Sequence, residues 1–64
     1  MMTDKEQLYF DAGISFAKKL KICKENKWVR SYEAIENCIE IRINKVKEEP
    51  NLIKALKNGL RTEE

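Results

Sequence analysis

The chain has 64 residues, of which 42% are hydrophobic and 38% charged, and its 13 Lys and Arg against 11 Asp and Glu leave a net charge of +2. A chain this short hides only about 60% of the surface its unfolded form exposes, so it is expected to form one domain over residues 1–64 with a thin stability margin. Composition argues against two of the supports small domains use: there is no histidine, and Cys23 and Cys38 stand alone without a C-x-x-C pair, too few ligands for a zinc site.

The start of the chain lacks the basic segment, apolar run and small-residue cleavage site of a secretory leader. A cytoplasmic location is therefore expected, with both thiols reduced and behaving as small hydrophobes. No apolar run approaches the roughly 20 residues needed to span a bilayer, so no membrane association is expected.

Thr3-Asp4-Lys5-Glu6 has the S/T-x-x-E form in which the threonine side chain caps one free backbone N–H and the glutamate reaches back to another, placing a helix start at Asp4. Tyr9, Gly13, Phe16, Leu20 and Cys23 then follow at steps of three and four. They stack on one helical face, widened by Phe10, Ala12 and Ala17. This first helix is predicted over residues 4–24.

Lys24-Glu25-Asn26-Lys27 is wholly polar, and the apolar stripe resumes beyond it out of phase, which predicts a break. Asn26 either ends helix one in a left-handed conformation or caps the next helix, and Ser31 is a later candidate cap. Tyr32, Ile35, Ile39, Ile43 and Val46 share one face of a second helix, predicted over 28–49, with Trp28 on the same line if that helix begins early. Ile39-Glu40-Ile41-Arg42-Ile43 alternates like a half-buried strand, but Ile35 and Val46 fit only the longer period, so helix is the reading.

Pro50 ends this helix by disfavouring helical geometry at Glu49, and it also suits the first turn of another. Leu52, Ala55, Leu56 and Leu60 make a short amphipathic third helix, predicted over 51–58. Asn58-Gly59 is its stop, and 61–64 a polar tail. The fold class is thus all-α: a helical hairpin of two long helices plus a short C-terminal third helix.

Little in the chain supports catalysis. No histidine is present, no Ser or Cys stands beside a recognisable base, and Gly13 and Gly59 form no phosphate-binding loop. No catalytic residue, cofactor or small-molecule substrate is expected. Glu33, Glu36 and Glu40 have spacing that metal-binding helices use, but such sites normally recruit histidine from other helices, so the reading is a solvated flank and no metal.

Gly13 lies on the apolar face at a cost of about 1 kcal/mol against alanine, which calls for a reason. Close packing of helix two is preferred to a groove that admits a partner's side chain. Cys23 continues the apolar face, Cys38 lies off it, and a redox pairing is not expected.

Residues 18–30 hold Lys18, Lys19, Lys21, Lys24, Lys27 and Arg30 against Glu25 alone, with Trp28 and Tyr32 nearby. A basic elbow interleaved with aromatics is the footprint of a nucleic-acid or acidic-partner contact, though lysines late in a helix also simply favour its dipole. The glutamates flanking helix two would face phosphates badly, which weakens a helix-turn-helix reading.

Apolar residues are also left over. Once a core face is drawn for each long helix, Leu8, Ile14 and Ile22 remain on the far side of helix one, and Ala34 and Ile41 on that of helix two. Helix three can cover only some of them. A helix that is apolar on two sides is usually sandwiched, so the leading expectation is a protein-protein interaction module. It would act as a regulator, adaptor or inhibitor of a larger protein, as a homodimer, with nucleic-acid binding through the elbow as the alternative.

Overall fold

The computed structural model describes residues 2–62. Three helices account for nearly all of them: α1 (Asp4–Glu25), α2 (Val29–Lys45) and α3 (Pro50–Arg61). The end of the predicted tail, residues 63–64, lies outside the described residues.

α1 begins where the capping box places it. Thr3 Oγ1 accepts the Glu6 N–H and Glu6 Oε1 accepts the Thr3 N–H, both at 3.2 Å. At the other end, Asn26 stops the helix in a different way from that expected. It is not left-handed: its φ is −94°, and both its backbone N–H and its side-chain amide donate to the Ile22 carbonyl. Lys27 is the left-handed residue, with φ 59°. The Lys27 N–H donates to the Lys24 carbonyl and the Trp28 N–H to that of Cys23, which satisfies the exposed carbonyls in the paired pattern helices commonly end on. That pattern usually recruits glycine, because a side chain in this conformation costs about 1–2 kcal/mol.

Neither Asn26 nor Ser31 caps α2. Trp28 occupies the capping position without a side-chain hydrogen bond, and Ser31 already lies in the first turn. The alternating segment Ile39–Ile43 is helical, as the longer period implies. α2 stops at Lys45, four residues short of the predicted end, and the chain turns through Val46 to Glu49. Within that turn the Glu49 N–H donates to the Val46 carbonyl at 2.8 Å, and Pro50 takes the first position of α3.

The largest departure from expectation is the partner of Gly13. It admits α3, not α2. A methyl group on Gly13 would collide with the Leu56 carbonyl and lie 2.9 Å from the Leu60 nitrogen, and one on Gly59 would collide with the Phe10 carbonyl. All of these are backbone atoms, so neither helix could yield by turning a side chain. Gly59 is therefore no stop signal: α3 continues through it to Arg61, and Gly59 is buried in the crossing.

The consequence is an uneven core. Leu52, Ala55 and Leu56 of α3 are buried, Leu56 completely, together with Ala17 and Cys23 of α1 and Val46 just beyond α2. α2 itself contributes no buried residue. Tyr32, Ile35, Ile39 and Ile43, expected in the core, are each half-buried, because α3 packs on α1 and leaves α2 one substantial neighbour. Arg42 helps hold α2 there, its guanidinium lying 5.9 Å from the centres of both the Tyr9 and Phe16 rings.

The molecule is accordingly a slab of 36 × 21 × 14 Å. Its radius of gyration, 11.9 Å, exceeds the roughly 10.7 Å of a compact chain this long.

Candidate interaction surface

Where α2 stands away from α3, an apolar groove of about 520 Å³ opens on the slab. Ala17 and Leu20 of α1 form its floor, Tyr32, Ile39 and Ile43 of α2 one wall, and Leu60 reaches it from α3. Charge is divided across it, with Lys24 on the α1 side and Glu36 and Glu40 on the α2 side. Lys24, Tyr32 and Glu36 also border a second depression at the elbow, where Trp28 and Val29 lie beside the buried Cys23. The two form one continuous strip.

None of the apolar groove residues was among those singled out from the sequence, since periodicity assigned them to the core. A signal for their exposure lies in the helix lengths. At 1.5 Å per residue the 12 residues of α3 span about 18 Å against about 33 Å for the 22 of α1, so one α3 cannot roof the whole hairpin.

The five residues expected to form a partner surface are distributed around the slab. Leu8 (66% exposed), Ile22 (50%) and Ile41 (56%) are bare, as is the smaller Ala34. Helical spacing sets Leu8 and Ile22 on one face of α1 and Ala34 and Ile41 on one face of α2. Ile14 differs: it is half-buried, with its backbone nitrogen at the Gly59 crossing.

Every basic residue of the elbow, Lys18, Lys19, Lys21, Lys24, Lys27 and Arg30, is exposed, and Trp28 is 53% exposed. They do not share one face. At about 100° per residue Lys18 and Lys19 diverge from each other, whereas Lys21 and Lys24 lie about 60° apart, and of these Lys24 lines the groove. Trp28 shares its depression with Glu33 and Glu36 as well as Lys24 and Lys27, so the aromatic on which a base would stack stands between opposite charges.

Glu33, Glu36 and Glu40 fall within about 60° on α2 and form the acidic border of the strip. Among the described residues no three His, Cys, Asp or Glu side chains gather as a metal ion would require. Cys23 is a buried free thiol and Cys38 an exposed one. No helix among the described residues is long and apolar enough to cross a membrane.

Compared with protein families, with curated proteins and with solved structures, the chain matches none.

Proposed function

We propose that this chain is a non-catalytic protein-protein interaction module, a cytoplasmic regulator, adaptor or inhibitor that acts on a larger protein as a homodimer. The observation that carries this reading is the amount of apolar surface left bare. Besides the groove, Leu8, Ile22 and Ile41 are each at least half exposed on the outer faces of the slab, and among the described residues the one large side chain buried completely is Leu56. Isolated exposed leucines are ordinary on monomers, but a contiguous apolar groove on so small a body marks an interaction site.

Nucleic-acid binding is the competing reading, and the elbow's mixed charge weighs against it. A crosslinked pull-down from the native host, with and without nuclease, separates the two. We expect a protein partner that survives nuclease and is lost with Ile41→Asp, while circular dichroism shows the helices intact, because Ile41 is more than half exposed. Loss of the captured material on nuclease treatment, with a salt-sensitive complex abolished by Lys18→Gln, Lys19→Gln and Arg30→Gln together, would establish the alternative.

A further inference from the structure

We infer that the open groove is covered by a second copy of this chain, with a two-fold axis running along the hairpin so that α1 of each copy lies over α2 of the other. This rests on the interaction-module reading and names the occupant of one of its surfaces.

Two observations select a second copy. The first is area. The chain exposes 5052 Å², whereas a compact monomer of 7.6 kDa exposes about 4,300 Å². The surplus, on the order of 750 Å², is close to the roughly 800 Å² that each partner contributes to a stable interface of standard size.

The second observation is charge. The groove is self-complementary, basic on its α1 side at Lys24 and acidic on its α2 side at Glu36 and Glu40. Late α1 lies beside early α2 within one copy, because both line the same groove. An axis along the hairpin therefore sets the Lys24 ammonium of each copy against the partner's Glu36 and Glu40, twice, around the apolar centre of Leu20 and Ile39. A perpendicular axis would instead put α2 on α2 and oppose Glu36 and Glu40 to their own copies. Like charges face to face are the arrangement a two-fold interface must avoid. α3 reaches the groove only at Leu60, so it does not block this approach. The outer faces carrying Leu8 and Ile41 remain free for a larger protein.

Sedimentation equilibrium on the full chain tests the pairing. The wild type should be a dimer. Lys24→Glu alone, and Glu36→Lys with Glu40→Lys, should each weaken self-association by about tenfold or more, since each opposes like charges across the axis. All three positions are exposed, so helicity should be unchanged. Mixing the two variants should restore a dimer, because each now supplies the charge the other lacks, a rescue that pairing within one chain cannot produce. A monomeric wild type, variants that remain dimeric, or a mixture that fails to associate would each overturn the inference. A monomer that still captures its partner through Ile41 would overturn the dimer alone, whereas a dimer that captures no protein would overturn the interaction module.

Discussion

α1 meets its two neighbours in opposite ways. Against α3 it presents glycine to glycine, close enough that a single methyl group would strike backbone, and the buried leucines of the molecule gather there. Against α2 it presents aromatic and aliphatic side chains that stay half-exposed, with Arg42 laid over two rings. Close backbone approach buries area but tolerates no change in volume, whereas a looser contact tolerates change and leaves a groove. The tightly packed half of this protein is thus made by its shortest helix, and the half left uncovered by the longer pair.

The sharpest way to break that contrast is to empty the tightly packed half. Leu56→Ala removes the one fully buried large side chain among the described residues and should cost about 3 kcal/mol. In thermal unfolding this is a fall on the order of 15 °C. Gly59→Ala comes next. In an exposed helix it would stabilise by about 1 kcal/mol. Here overpacking against the Phe10 carbonyl reverses the sign, and we expect a net loss of about 2 kcal/mol in urea titration.

The open half should respond less. Ile39→Ala trims a half-buried side chain and should cost about 1 kcal/mol in dilute protein, less than half the Leu56 effect. Equal losses at the two positions would erase the distinction drawn between the halves. Similar in size but opposite in sign, Lys27→Gly relieves the left-handed strain in the turn that joins α1 to α2, and should gain about 1 kcal/mol in the same titration.

These residues also mark how far the sequence could be read. Gly59 was visible in principle, for it continues the 52, 55, 56 spacing by one more step, but a glycine after asparagine reads equally well as a helix end. The local signal was ambiguous because the deciding contact, the Phe10 carbonyl, lies far away in the chain. Lys27 was illegible for another reason, since neither of its neighbours announces a left-handed lysine where glycine or asparagine is preferred. The half-exposure of Tyr32, Ile39 and Ile43 was equally hidden, because a well-formed apolar stripe is the same whether or not anything covers it.

What the sequence by itself determined is local: the capping box that starts α1, the helical period of α2 through its strand-like isoleucines, Pro50 at the head of α3, and the apolar face of each helix. These follow from interactions spanning a few residues, which a linear pattern records. Tertiary structure alone decided which helix Gly13 receives, how much of α2 stays bare, and hence where the groove opens. Periodicity states that a face must be covered. Only the meeting of backbones, at a distance that two glycines permit and any side chain forbids, chooses what covers it.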